Sequence, residues 1–456
     1  MSKKTLSFFI ALIITQLCLP WFNEVSDKKM NILWGNPVFW ITGLLFSIVT
    51  GIIAGSYPAL YLSSFNVIKV LKGTFKAGRF AALPRKILVV LQFTVSVALI
   101  IGTIIVYQQI QFTKNRPVGY NREGLIMINM QTPEFYGKHD VLSNELKKKN
   151  AIVEMAESNS PLTAVWSNSS GFDWTGKDPN LDTDFAMFWV STDYGKTVGL
   201  EIIQGRDFSK DFPADSASVL VNEATVKFMN IKDPVGKVIR NNDWNANLTI
   251  VGVVRDMVMN SPYDPVKQAL YVNSSNNINW MLLRLNPGKP VSESLASIEQ
   301  VFKANIPNAP FKYEFVDKSY SSKFDDEVRI GKLAGFFTIL AIVISCLGLF
   351  GLASFVAEQR TKEIGIRKIV GASVFTLWRL LSIDFLLLVS LSCLIAMPLG
   401  YYFLNGWLKN YPYRIDISWW VFIVAFAGAI IVTLLTVSYQ AIKAANANPV
   451  KSLRTE

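Results

Sequence analysis

Histidine is almost missing from this sequence, with His139 alone among 456 residues, and cysteine is scarce at three. A Cys/His metal centre or a disulfide framework needs more of both. Charged residues make up 17% of the chain, against roughly 25% in an average soluble domain. No G-x-S-x-G, H-E-x-x-H or G-x-x-x-x-G-K-S/T occurs. The nucleophile elbow, the zinc-protease helix and the P-loop are therefore absent as motifs. A Ser-His-Asp triad would have to be built on His139.

What is present is apolar. Hydrophobic residues reach 51%, with 30 Phe, 15 Tyr and 12 Trp, which excludes intrinsic disorder. Six stretches are long and apolar enough to cross a bilayer, which takes roughly 20 helical residues. They are Leu6–Trp21, Val38–Leu60, Ile87–Tyr107, Leu333–Val356, Ile383–Leu404 and Trp419–Ser438. Cys18, Cys346 and Cys393 all fall inside them and read as small packing residues.

Charge is segregated. Residues 108–329 hold 24 Lys and Arg against 27 Asp and Glu, while the rest of the chain holds 21 against 7. The positive excess flanks the apolar stretches, which points to membrane topology rather than nucleic-acid binding. Lys69, Lys72, Lys76, Arg79, Arg85 and Lys86 lie between spans two and three. Arg360, Lys362, Arg367, Lys368 and Arg379 lie between spans four and five, and Lys443, Lys451 and Arg454 follow span six. By the positive-inside rule both termini are cytoplasmic and residues 108–329 lie outside the cytoplasm, as in a multi-pass inner-membrane protein. Asp384, near the cytoplasmic end of span five, is expected at the interface or paired with Arg379.

The expected fold class is therefore a polytopic α-helical membrane protein with six spans and one large α+β extracytoplasmic domain. In that domain Leu125-Ile-Met-Ile-Asn-Met, Ser218-Val-Leu-Val-Asn, Leu248-Thr-Ile-Val-Gly-Val-Val and Trp280-Met-Leu-Leu-Arg-Leu read as strands. Val141–Lys149, Asn222–Asn230 and Val291–Asn305 read as helices, and about 220 residues suggest two lobes. Asp325-Asp-Glu327 reads as a solvated turn.

The sequence also repeats itself at an offset of 382 residues. Ser56-Tyr-Pro-Ala-Leu aligns with Ser438-Tyr-Gln-Ala-Ile, and six of 18 positions from 56 to 73 are identical. Spans one and two then correspond to spans five and six. The expected organisation is a partial first module (1–86), a span and stalk (87–107), the outer domain (108–329) and a complete three-span module (330–456). A further half of about 300 residues is expected upstream, by the repeat offset.

The stretch Glu358–Ser373 mixes charges with Ile364, Ile366, Ile369 and Val370 and ends at Gly371. It suits a short amphipathic helix with a glycine cap, either lying on lipid or docking a partner.

Arg360-x-Lys-Glu-Ile-Gly-Ile-Arg-Lys-x-x-Gly-Ala-Ser resembles the signature of FtsX/MacB-type ABC transporter permeases. Asp193-Tyr194, Gly205-Arg-Asp-Phe208, Val221-Asn-Glu223, Asp233-Pro-Val-Gly236, Ile250-Val-Gly-Val-Val-Arg-Asp256 and the tail Ala447–Arg454 are similar to that family too. The resemblance implies that 358–373 is a coupling helix. Arg360, Lys362, Glu363, Ile364, Ile366, Arg367 and Gly371 would be its contacts to a cytoplasmic ABC ATPase subunit. ATP and Mg would be bound by that subunit, no cofactor by this chain, and this chain would not itself be an enzyme. Implied partners are the ATPase, membrane lipid, a second copy or another permease half, and a periplasmic adaptor, with no nucleic acid. Implied functions are efflux or extrusion of a drug, peptide or lipoprotein by mechanotransmission, or regulation of an extracytoplasmic cell-wall hydrolase. An anchored extracytoplasmic enzyme is disfavoured by the single histidine.

Overall fold

In the computed structural model, residues 2–63 and 83–445 are described. The basic positions Lys69, Lys72, Lys76, Arg79, Lys451 and Arg454 and the segment Ala447–Arg454 lie outside them. Each of the six apolar stretches coincides with a helix, the last starting one residue later than expected: Ser2–Ser26, Pro37–Ser63, Leu83–Lys114, Asp325–Gln359, Val374–Leu408 and Trp420–Ala445. Five are long and apolar enough to span a membrane by length and composition. The second is covered by a shorter apolar stretch, Pro37–Ile53. The acidic run Asp325-Asp-Glu327 is the first turn of a helix rather than a free turn. Negative side chains are favoured there by the unpaired N–H groups of the helix start.

The chain divides into two units. One comprises Met1–Tyr107, Glu327–Gly406 and Asp416–Glu456, the other Gln108–Asp326 and Trp407–Ile415. In the helical unit, Leu83–Lys114 packs on Asp325–Gln359 through two hydroxyl pairs. Ser96 Oγ lies 2.9 Å from Ser345 Oγ and Thr103 Oγ1 lies 2.8 Å from Thr338 Oγ1. Seven residues separate the pairs on each helix and the order reverses, so one face of each is used in an antiparallel seam. Apolar burial cannot hold helices together in lipid, so such pairs, each worth about 0.6 kcal/mol, and close packing take over. Trp378 Nε1 donates to Ser438 Oγ over 2.8 Å, joining the last two helices.

The second unit is built on one mixed sheet, whose strands are numbered in chain order. These are β1 (Leu125–Asn129), β2 (Ile152–Ser158), β3 (Asn168–Ser169), β4 (Phe172–Asp173), β5 (Phe185–Val190), β6 (Ile202–Gly205), β7 (Ser218–Asn222), β8 (Val238–Asn241), β9 (Ala246–Val254), β10 (Ala269–Asn273), β11 (Trp280–Leu285) and β12 (Glu314–Phe315). The order is β12-β1-β11-β2-β5-β10-β7-β9-β8-β4, with β3 beside β5 and β6 beside β9. Pairs β5/β10 and β7/β9 are parallel.

This sheet has a narrow waist. Strands β2 and β5 meet at the single pair Ser158↔Val190. On one side lies a core of Ile126, Leu142, Met155, Leu283, Ile298 and Phe302, covered by helices His139–Lys148 and Val291–Asn305. On the other, Phe185, Val219, Val221, Ile250 and Leu270 form a second core. The joint is polar. Asn159 N donates to Trp189 O at 3.0 Å. Its side chain donates to Met187 O at 3.1 Å and accepts from Trp189 N at 3.2 Å. An Asn amide offers the donor and acceptor of a peptide group, so Asn159 extends the ladder by its side chain where the strand stops.

Gly205 and Gly236 show why the turn motifs contain glycine. Their φ values are 75° and 85°, in the left-handed region that side chains disfavour. A Cβ on Gly205 would also stand 2.2 Å from Val251 O.

A candidate coupling helix between two membrane-spanning helices

The segment singled out by sequence is a helix, Thr361–Ile369. Arg360 is its junction with the preceding helix, at φ −94° and ψ 10°. The chain turns there without abandoning helical bonding. Arg360 N donates to Val356 O at 3.0 Å, and Arg360 O accepts from Ile364 N at 2.9 Å. At the other end Gly371 has φ 93°. Gly371 N donates to Lys368 O and Ala372 N to Arg367 O, the paired bonds of a Schellman cap. Ser373 Oγ then accepts from Thr376 N at 3.2 Å and caps Val374–Leu408. Gly-Ala-Ser thus ends one helix and starts the next.

The two faces of this helix differ. Ile364 is 4% exposed, and it lines a cavity with Gln440, Lys443 and Ala444 of the final helix. Ile366, Ile369 and Val370 are 55%, 61% and 82% exposed. At 100° per residue these three cluster on the side opposite Ile364. Of the two isoleucines in the expected contact set, Ile366 offers surface while Ile364 is used inside this chain. Glu363 and Arg367 form an i,i+4 pair at 2.8 Å on the rim. Lys362 lies on the same helix, with its side chain outside the described residues.

Arg360 Nη2 donates to Asp384 Oδ2 at 2.8 Å. The sequence places Asp384 at the interface or paired with Arg379, five residues earlier; the pair it forms is with Arg360. Helix neighbours meet at three and four residues, not five, and the turn at Arg360 brings a closer guanidinium.

In the outer unit the charged groups read as structure. His139 Nδ1 lies 3.3 Å from Asp140 Oδ1 and Nε2 lies 3.4 Å from Met155 O. Among the described residues no group of three or more His, Cys, Asp or Glu side chains could hold a metal ion. Arg206 binds Asp215 through both nitrogens at 2.7 Å. The guanidinium holds the Asp215 carboxyl below its usual range. Glu157 is buried at the waist and its Oε1 has no hydrogen-bond partner. Burial raises its pKa, opposed by His139. Nothing in the sequence pattern marks Glu157, which shares β2 with a second acid, Glu154.

Comparison with known proteins finds two family models on this chain. The family described as MacB-like periplasmic core domain matches residues 87–301. The FtsX-like permease C-terminal family matches residues 335–449, which contain the helix just described. The macrolide export ATP-binding/permease protein MacB of Neisseria meningitidis is 25% identical over 292 residues, 60% of this chain and 44% of that protein. An uncharacterized ABC transporter permease of Bacillus subtilis, YknZ, is 22% identical over 297 residues, 60% of this chain and 71% of that protein. A crystal structure of the periplasmic region of MacB from Actinobacillus actinomycetemcomitans aligns with 44% of this chain and 92% of that chain, at 16% identity and a TM-score of 0.33. The class defined by these segments is the ABC transporter permease. Within it, this chain belongs to the MacB/FtsX type, and it spans less than half the length of the MacB protein matched above.

Proposed function

We propose that this chain is the membrane-spanning subunit of an ABC efflux or extrusion system, and that a separate ATPase docks on Thr361–Ile369. The observation that carries the reading is the two-faced helix, with Ile364 anchored inward and Ile366, Ile369 and Val370 turned outward. An apolar ridge with a charged rim is the composition of a protein-binding patch. Arg360, Lys362, Glu363, Arg367 and Gly371 orient that ridge. ATP and Mg belong to the docked subunit.

Docking alone does no work. ATP must favour one arrangement of the ATPases, and the permease must pack differently in each. Leu83–Lys114 and Asp325–Gln359 each carry residues of both units, and in this reading they are the levers. ATPases of this kind act in pairs, so a second copy or another permease half completes the assembly. The word export in the name of the MacB relative favours transport over control of a cell-wall hydrolase. The test is reconstitution with the cognate ATPase in sealed vesicles. ATP-dependent movement of a drug, peptide or lipoprotein is expected. ATP turnover with no movement, alongside a stable outer-domain complex with a secreted hydrolase, would favour the regulatory reading instead.

A further inference from the structure

In the sheet-bearing unit, β5 and β10 run parallel with Ala186 opposite Ala269 and Phe188 opposite Tyr271. Their neighbours Phe185, Met187, Leu270 and Val272 belong to the core on one side of the sheet. Alternation therefore puts the two alanines and the two rings on the other side. Asn168 of β3 pairs with Ala186, so a row of short side chains crosses three strands. The next row is bulky, with the Phe188 and Tyr271 rings stacked at 5.0 Å and 19°. The sheet surface has a step between the two rows.

The segment 257–267 covers that step without filling it. Tyr271 Oη donates to Met257 Sδ at 3.3 Å, which holds Met257 against the rings. The space left is a cavity of about 150 Å³, with Val165, Met259 and Val266 in its wall beside the residues above. Asn260, Asp264 and Lys267 also line it and are exposed, marking its mouth. Relaxation of the surroundings tends to shrink such a space, but here the cover is fastened. Val165 N donates to Asn260 Oδ1 at 2.8 Å. Lys323 Nζ donates to Met259 O at 2.6 Å, and also to Thr163 O and Asn260 O. Arg116 Nη1 donates to Pro262 O at 2.8 Å and to Asp264 O at 2.6 Å.

We propose that this cavity is a binding site for a small molecule held by one aromatic ring. An apolar cavity of roughly 150 Å³ stays dry and admits one benzene-sized guest. The ring row and the methionine sulfurs suit an aromatic guest. The exposed polar groups at the mouth leave the guest's polar end in water. Lys323 stands just before Asp325–Gln359 and Arg116 just after Leu83–Lys114, so guest and helices bear on one segment. That consequence rests on the transport reading, whereas the site itself does not.

The full chain, with Cys18, Cys346 and Cys393 replaced by alanine, would carry Ala186→Cys or, as an exposed control, Lys148→Cys. Its modification by benzyl and by sulfonatoethyl methanethiosulfonate would be timed in detergent. Relative to the control, Ala186→Cys should favour the benzyl reagent by about tenfold or more, the scale of removing a phenyl ring from water. Millimolar benzyl alcohol should slow that reaction at Ala186→Cys alone. Ala269→Leu, or Ala269→Val where yield falls, fills the recess and should abolish the preference with the control unchanged. Lys323→Met frees the cover and should reduce the preference. No reaction at Ala186→Cys, the same preference at both positions, no protection by benzyl alcohol, or a preference untouched by filling the recess would each overturn the site. A preference untouched by Lys323→Met would overturn the link to the helices. No ATPase takes part, so the result is independent of transport.

Discussion

Arg360 Nη2 and Asp384 Oδ2 meet at 2.8 Å and tie the junction before Thr361–Ile369 to the helix that follows it. Each side chain is about one-third exposed (33% and 36%), so the pair contributes on the order of 0.5–1 kcal/mol. Its effect lies in orientation rather than in global stability. Arg360→Asp or Asp384→Arg alone should lower ATPase co-purification. The double exchange should recover most of it. A double exchange no better than either single would show that the pair does not position the helix.

The faces of Thr361–Ile369 make separable predictions. Ile366→Asp, alone or with Ile369→Asp, should weaken ATPase co-purification at least tenfold while leaving yield and melting temperature unchanged. Ile364→Asp places a charge in a buried position, where an unpaired group costs several kcal/mol. It should reduce the yield of folded protein. Intact ATPase binding by Ile366→Asp with Ile369→Asp would remove this ridge from its assigned role.

Glu157 gives the outer unit a pH dependence of known sign. Burial raises its folded pKa above the unfolded value. Its stabilising contribution is therefore fully present below the unfolded pKa of about 4.3 and is lost as pH rises through the folded value. Glu157→Gln removes the ionisation, and at pH 8 the variant should be more stable by about 1–3 kcal/mol, the cost of one unsatisfied buried group. That corresponds to about 2–4 °C per kcal/mol in a unit of this size. The gain should shrink at pH 4.5. A gain that is equal at both pH values would mean that ionisation is not its cause.

Asp215 has the opposite sign. Its folded pKa is depressed, chiefly by Arg206. The stability it contributes is present above the unfolded pKa of about 3.9 and lost as pH falls through the folded value. Asp215→Asn should destabilise the outer unit by about 1.5–3 kcal/mol near pH 7, the range for hydrogen bonds to a charged group. The difference from wild type should narrow toward pH 2. Hydrogen exchange at amides of β7 and β9 reads both states, and a constant difference down to pH 2 would contradict the assignment.

The readable parts of the sequence were those governed by short-range physics. Apolar length located the helices, and short apolar or alternating runs located β1, β7, β9 and β11. The pattern of charge, isoleucine and glycine located Thr361–Ile369, because the Schellman cap at Gly371 is a local device. What stayed hidden depends on chain reversal. The Arg360–Asp384 pair exists because the chain turns at Arg360. The inward placement of Ile364 depends on the last helix packing there, some 75 residues later in the sequence. The waist at Ser158↔Val190 depends on where two strands stop, which no periodicity encodes. Asn159, an ordinary loop residue by composition, completes that joint with its side chain.

The proposed function requires Thr361–Ile369 and the sheet-bearing unit to occupy opposite compartments. It is tested by replacing Cys18, Cys346 and Cys393 with alanine and introducing single cysteines as Ile366→Cys or Lys148→Cys. Sealed vesicles of known orientation are then treated with a membrane-impermeant maleimide. The account predicts labelling of the two positions from opposite sides, Ile366→Cys from the cytoplasmic one. Labelling of both from the same side would contradict it.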